Sequence, residues 1–332
     1  MTVKLKFRHQ PFQQRAAESV CNIFTGQTFS SSQTPYNLED RQQVIPEILS
    51  LWGNNSLTLS DSQLLANLQA VQRANSLDVS TSLDGHSFTV EMETGTGKTY
   101  TYIKTIYELN SLYGWSKFIV VVPSIAIREG VHKTFQVTEE HFMGDYGKRA
   151  HYFIYDSANL PQLRQFAADS GIEIMIINSQ AFNAKDSNSR RIRMEIDQFQ
   201  SMKPIDVLAS VRPIMIIDEP QSVEGAKTKE SLKDFDPLFT LRYSATPREY
   251  YNLVYRLDAL DAYRRRLVKS INVTGISLAN VSASGGYVYL KGIIKGEHDP
   301  LALIEHDSRA ASGIRRVTRR LKEGIETANK NL

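Results

Sequence analysis

The chain has 332 residues, 41% of them hydrophobic and 23% charged, a composition that fits a soluble globular protein of one large or two ordinary domains and excludes a disordered one. Its formal charge of +3, from 39 basic and 36 acidic residues, neither demands nor excludes a nucleic-acid partner. The single cysteine, Cys21, excludes an internal disulfide and a cysteine-rich zinc site. No basic-then-apolar segment opens the chain and no apolar run nears the length of a membrane span, so a cytoplasmic protein without membrane contact is expected.

In chain order, "QPFQQRAAESVCNIF" (10–24) sets Phe12, Ala16, Val20 and Phe24 at i, i+4 spacing and predicts a helix with Cys21 buried on it. Residues 25–60, rich in Ser, Gln, Asn and Thr, read as a surface insertion. A helix over 61–75 follows, with Asp61 as its cap. Strands and helices then alternate. Strands are expected at 87–92, 117–123, 151–155, 172–178, 213–219 and 238–246, and helices at 98–113, 124–135, 159–169 and 189–200. "KFIVVVP" (117–123) is a near-continuous β-branched run, as in a strand covered on both faces. Such alternation predicts an α/β fold: a mostly parallel sheet with helices on both faces and ligands beyond the carboxyl ends of the strands. Past residue 270 the rhythm weakens. "GGYVYLKGIIKG" (285–296) reads as a strand pair or a bulged strand, and 308–330 as a basic helix interrupted near Gly313. The clusters "RRRLVK" (264–269) and "RRVTRRLK" (315–322) are either solvated helix faces or phosphate-contacting patches.

Three turns at strand ends carry chemistry. In "METGTGKT" (92–99), Gly95 and Gly97 allow a backbone whose N–H groups converge on phosphate oxygens at a helix N-terminus. Lys98 is placed to reach the β- and γ-phosphates, and the Thr99 hydroxyl to ligate Mg²⁺. The strict pattern G-x-x-x-x-G-K-[ST] has glycine where this chain has Met92. In "IMIIDEPQ" (214–221) an apolar strand delivers Asp218 and Glu219 to its end, where two adjacent acids are costly without a cation or partner. With a phosphate loop, Asp218 would hold Mg²⁺ and Glu219 would orient and polarise a water for nucleoside triphosphate hydrolysis. In "RYSATP" (242–247), Ser244 and Thr246 are placed to hydrogen-bond the acid pair and sense its occupancy. The seven histidines are scattered, none within three to five residues of another, so no metal site besides Mg²⁺ is expected.

"METGTGKT", "DEPQ" and "SATP", in this order, resemble motifs I, II and III of superfamily 2 helicases and translocases, which accept Ala or Met at the first loop position. The resemblance implies a RecA-like P-loop NTPase lobe over 1–270, using ATP and Mg²⁺, with 271–332 as a linker or the start of the next domain. It implies a nucleotide cradle of Thr94, Gly95, Thr96, Gly97, Lys98 and Thr99. "PFQQ" (11–14) looks like the adenine-reading Q motif, with Gln13 as reader and Phe12 beside the base. "VVPSIAIREG" (121–130) and "NSQAF" (178–182) look like motifs Ia and Ib, which grip one nucleic-acid strand, here through Pro123, Ser124, Arg128, Ser179 and Gln180.

"METGTGKTYTYIKTIYELN", "PSIAIREGV", "DEPQ" and "VYRLDALDAYRRRLVKSINV" together resemble the Res subunit of type III restriction enzymes over roughly residues 1–290. That resemblance implies a motor acting on double-stranded DNA, a Mod methyltransferase partner that reads the sequence, and a C-terminal nuclease. The chain has no Q-x-x-G-R-x-x-R stretch, the usual source of the arginine finger, and no lysine two positions after an acid, as the nuclease triplet requires. The expectation is therefore the N-terminal part of a longer Res protein, slow at hydrolysis and unable to cut DNA by itself. Another superfamily 2 helicase, or a docking module that has lost its motor, are the alternatives. A P-loop kinase finds no support in "SATP" or the Q motif.

Overall fold

The computed structural model describes residues 7–30, 53–157, 159, 161–183, 191–194, 203–269, 287–294, 300–310 and 313–321. The chain divides into two compact units after Ser270. Among the described residues of the first unit, seven strands form one parallel sheet. They are β1 (Ser87–Met92), β2 (Lys117–Val122), β3 (Ala150–Ile154), β4 (Ile172–Asn178), β5 (Ile214–Asp218), β6 (Thr240–Ser244) and β7 (Leu253–Leu257), in the order β3-β4-β2-β5-β6-β1-β7. This is the α/β fold that the alternation predicts, a parallel sheet with helices packed on it.

The helices follow from local sequence. α1 (Pro11–Asn22) opens on a proline, which gives up no helical hydrogen bond there. α2 (Asp61–Ala74) is capped not by Asp61 but by Ser60, whose hydroxyl accepts from the Gln63 N–H while Gln63 returns a bond to the Ser60 N–H. Asp61, at the first helical position, instead meets His86 Nε2 at 2.9 Å. α3 (Lys98–Tyr113) and α4 (Ile125–Tyr146) both end on left-handed glycines, Gly114 and Gly147. α4 outruns the expected 124–135 because Phe135, Thr138 and Phe142 continue its buried stripe. α5 (Pro161–Ala168), α6 (Gln180–Asn183) and α7 (Pro204–Ser210) complete the crossovers, with a 3-10 turn at Arg191–Arg193. The rest of the helix expected at 189–200 lies outside the described residues. α8 (Pro220–Val223), α9 (Ala226–Lys233) and α10 (Ala259–Arg264) are short. Among the described residues no helix is long and apolar enough to cross a membrane.

The central strands are buried at every position, and successive side chains enter two different clusters, one on each covered face. Phe118, Val120 and Val122 of β2 join one cluster with Ala16, Leu68, Ile106 and Phe135 from α1 to α4. Ile119 and Val121 join the other with Phe166 of α5 and Leu208 of α7. A buried aliphatic or aromatic side chain contributes roughly 1.5–3 kcal/mol, a surface ion pair about 0–1 kcal/mol. The two clusters, not the charged rim, therefore hold the strand ends in register.

The second unit corrects the sequence reading. Residues expected to form a basic helix from 308 instead form an antiparallel hairpin, β9 (Leu301–Ala310) with β10 (Gly313–Leu321), and 322–330 lie outside the described residues. β8 (Val288–Ile294) pairs with β9 and carries a bulge at Leu290/Gly292, as one of the two readings of 285–296 anticipates. Ile314, Val317 and Leu321 mimic a helical stripe by their spacing, but cross-strand partners decide the outcome. Arg316 pairs with Asp307 and lies 4.0 Å above the Tyr287 ring.

The end of the supposed surface insertion is also structural. Asn54, buried, donates from Nδ2 to the Lys117 and Arg212 carbonyls at 2.8 and 3.0 Å. Its Oδ1 accepts from the Ser116 and Lys117 N–H groups at 2.7 and 2.9 Å. Gln27 is buried as well and binds Ser56 and Thr58. Residues 31–52 lie outside the described residues. Asn54→Ala leaves buried backbone groups unpaired and is expected to cost on the order of 1–3 kcal/mol, read as a Tm lower by several degrees. An unchanged Tm would show the strap to be dispensable.

Candidate nucleotide site

The three strand-end turns meet at the carboxyl edge of the sheet. Met92 ends β1 and the chain turns through Thr94–Gly97 into α3. Gly95 and Gly97 have φ of +82° and +88°, open to glycine and strained for other residues. Thr96 closes the turn, donating from its N–H and hydroxyl to the Glu93 carbonyl at 3.2 and 2.6 Å. The Thr94 N–H donates to Glu93 Oε1 at 2.8 Å. Gln13 of α1 is buried against this turn and donates to the Thr96 carbonyl at 2.9 Å. A Cβ on Gly97 would lie 2.5 Å from Gln13 Nε2, so a side chain there would displace the Gln13 amide from the turn. Phe12 is partly buried and packs on the core beside Gln13.

Lys98 extends from the first position of α3 across to the end of β5. Its Nζ lies 2.9 Å from Glu219 Oε1, with the two side chains 11% and 22% exposed. Glu219 holds φ at +51°, a conformation costing a non-glycine residue about 1–3 kcal/mol. Pro220 follows at the first position of α8, and the Glu219 N–H donates to the Tyr243 carbonyl at 2.8 Å. The partly buried ion pair of Glu224, which follows α8, with Arg242 of β6 braces the same turn.

Burial of Glu219 opposes its charge, but Gln221, Lys98 and Ser244 outweigh it and hold the carboxyl below its usual range. Asp218 behaves oppositely. Burial first, and Glu219 second, raise its carboxyl from 3.8 to about 6, against Lys98 and Tyr102.

Ser244 reaches Glu219 directly, and Thr246 reaches it by way of Gln221. The buried Ser244 hydroxyl lies 3.1 Å from Glu219 Oε2 and 2.8 Å from Gln221 Oε1, and accepts from the Thr246 N–H at 3.0 Å. Gln221 Nε2 donates to Glu219 Oε2 at 2.7 Å and lies 3.4 Å from the Thr246 hydroxyl. The sequence reading quotes Gln221 within "DEPQ" without giving it a role; in space it is the hub. Tyr102 is missed altogether. Fully buried one turn into α3, its hydroxyl lies against Thr99 and Asp218, short of good hydrogen-bond geometry with either. A tyrosine three residues after Thr99 faces the same side of the helix, which is the signal that was available.

The expected nucleic-acid residues also gather at this edge. Pro123 and Ser124 follow β2, and Ser179 and Gln180 follow its neighbour β4, with Val122 and Asn178 in register. Ser124 caps α4, accepting from the Ile127 N–H at 3.3 Å. Arg128 Nη1 donates to Asn178 Oδ1 at 3.3 Å, joining the two turns, and Ser179 N–H donates to the Val122 carbonyl. Gln180 is exposed, as are Ile125 and Ile127 beside Ser124.

The raised Asp218 carboxyl fixes the sign of a stability effect. Its contribution is present below its unfolded value of 3.8 and is lost as the pH rises through about 6. Asp218→Asn, which cannot ionise, is expected to stabilise the ligand-free chain at about pH 8 by on the order of 1–3 kcal/mol. The gain fades toward about pH 4, where both side chains are neutral. A thermal melt series showing no pH dependence in the difference would contradict the burial of that charge.

The sequence model of the family described as "Type III restriction enzyme, res subunit" matches residues 11–249. The chain is 35% identical over 288 residues to the Res subunit of the Escherichia coli type III restriction-modification enzyme EcoP15I, covering 80% of this chain and 28% of that protein. It is 34% identical over 287 residues to the EcoPI Res subunit of Escherichia phage P1, again covering 80% and 28%. The chain thus spans little more than a quarter of the length of these curated relatives. A solved structure, the Sulfolobus solfataricus SWI2/SNF2 ATPase core in complex with dsDNA, overlaps 59% of this chain and 33% of its own, at 13% identity and a TM-score of 0.34. At that overlap the likeness adds nothing to the parallel sheet already described. The match at 11–249 runs through Gln13, the glycine turn, the acid pair and Ser244: the chain belongs to the family of Res subunits of type III restriction enzymes.

Proposed function

We propose that residues 1–270 are the ATP-hydrolysing motor lobe of a type III restriction endonuclease acting on double-stranded DNA, with 271–332 a linker or the start of the next domain. The observation that carries this reading is the Lys98–Glu219 pair at 2.9 Å, set beside the carboxyl of Asp218. A lysine at a glycine turn and two acids on a neighbouring strand end form the minimal set for phosphoryl transfer by positioning and charge stabilisation.

The residues divide the work. The turn Thr94–Gly97 and the N-terminus of α3 cradle phosphates, and Lys98 leaves Glu219 for the β- and γ-phosphate oxygens. Glu219, kept ionised by its neighbours, orients the attacking water. Gln13 reads the adenine edge beside Phe12. Thr99 and Asp218 offer a hydroxyl and a carboxylate, an all-oxygen set that suits Mg²⁺, and two crowded acids gain from a divalent cation. An Mg²⁺ ion held by Thr99 and Asp218 would neutralise the phosphate charge. Tyr102, behind both ligands, positions them. Ser244, Thr246 and Gln221 connect the acid pair to the loop after β6 and so report its state. Pro123, Ser124, Arg128, Ser179 and Gln180 contact the DNA backbone, and a Mod methyltransferase subunit supplies sequence recognition.

No Q-x-x-G-R-x-x-R stretch occurs in residues 1–332, so the arginine finger must come from elsewhere. A missing finger costs about 10³–10⁵ in rate by analogy with other NTPases. ATP·Mg²⁺ is therefore expected to bind this chain in calorimetry, with slow turnover and no DNA cleavage, and Lys98→Ala to abolish binding. Equal heats from both proteins would remove the phosphate role of the turn. DNA-stimulated turnover at the rate of a complete motor would contradict the absence of the finger.

A further inference from the structure

The sequence keeps its histidines far apart, but the fold brings two of them onto one carboxylate. His141 and Asp145 stand one turn apart on α4, and His9 lies in the segment that leads into α1. His9 Nε2 is 3.6 Å from Asp145 Oδ1, and His141 Nε2 is 3.6 Å from Asp145 Oδ2. The three donor atoms lie within 4.8 Å of one another, and the two imidazole rings are 5.1 Å apart. In a tetrahedral site with bonds of about 2.0–2.1 Å, adjacent donors are separated by roughly 3.3 Å. The two 3.6 Å separations, each to a different oxygen of Asp145, stand near that value, and the exposed His9 side chain can turn to bring the three donors onto one ion.

We propose that His9, His141 and Asp145 bind a transition-metal ion of the Zn²⁺ class, at a site distinct from the oxygen ligands of the nucleotide turn. Two imidazoles with one carboxylate select Zn²⁺, Co²⁺ or Ni²⁺ over Mg²⁺, which prefers oxygen alone. The ligand atoms are supported from behind. The Phe7 and Tyr100 rings flank His141 at 5.3 and 5.7 Å, and the Tyr100 hydroxyl lies 2.7 Å from His141 Nε2. In the tautomer with its proton on Nδ1, His141 accepts from the Tyr100 hydroxyl at Nε2, and a metal would take that same lone pair in place of the hydroxyl proton. Ligand exchange leaves an open fourth position for water or for the Tyr100 oxygen. His9 is four residues before Gln13, so a metal that fastens His9 to α4 also fastens the entry to the helix that meets the glycine turn. The site rests on ligand geometry alone and stands whether or not the glycine turn holds ATP.

The test is a titration of the tag-free full chain with Co²⁺, followed by visible absorption, and with Zn²⁺ by calorimetry, both in millimolar Mg²⁺. One equivalent is expected, with ligand-field bands from Co²⁺. Losing a partner outside the first ring of ligands typically costs metal affinity about 10–100-fold, so His9→Gln, at an exposed position outside any helix, is expected to weaken binding about tenfold or more. His141→Gln is expected to abolish it. Lys98→Ala and Asp218→Asn are expected to bind one equivalent as tightly as wild type. The proposal is overturned by the absence of saturable binding, or by His9→Gln and His141→Gln proteins that bind as wild type does. Loss of binding in Asp218→Asn alone would overturn it too, by placing the ion at the nucleotide turn.

Discussion

The ion pair between Lys98 and Glu219 is the constraint around which the site is arranged. It joins the turn after β1 to the turn after β5, two strands that are not neighbours, across the intervening β6. Such a pair needs both ends fixed, and the packing fixes them. Gly97 gives way to Gln13, which sets the turn, and Pro220 with the Glu224–Arg242 pair sets the strained Glu219. Breaking this largely shielded pair on one side would leave the remaining charge without its partner. Here the remaining charge would stand beside a second carboxylate. The arrangement is thus poised for a ligand that supplies negative oxygens to Lys98 and a cation to the acids.

Asp218 and Glu219 are adjacent in sequence yet differ in protonation tendency, and the difference comes from surroundings. Asp218 lies at the end of a covered strand with Tyr102 behind it, and burial makes its charge expensive. Glu219 is turned out by its left-handed backbone into reach of Lys98, Gln221 and Ser244, which keep it ionised. Two acids whose environments push them apart can take separate roles, one for a metal and one for water. The Ser244–Gln221–Thr246 bonds extend this pair to the end of β6 and the start of the loop that follows.

Much of this was legible in the sequence because it is local. The glycine turn, the acids and "SATP" are each written in consecutive residues, and covered strands such as "KFIVVV" announce themselves by composition. What was not legible depends on partners distant in the chain. Asn54 reads as loop until the Lys117 and Arg212 carbonyls are placed around it. The stripe Ile314, Val317, Leu321 fits a helix until β9 offers a partner for each position of β10. β7 is a short edge strand whose register on β1 shifts at Thr89/Val90, too irregular for a period-of-two signal. Gln221 and Tyr102 sit inside or beside recognised motifs, but their roles come from what they face rather than from where they stand. The His9–His141–Asp145 group spans more than a hundred residues and has no sequence signature.

The most direct measurement is a crystal structure of the chain with a non-hydrolysable ATP analogue and Mg²⁺. The account predicts Lys98 Nζ on phosphate oxygens and released from Glu219, with the metal between Thr99 and Asp218. Nucleotide bound elsewhere, with Lys98 still paired to Glu219, would contradict it.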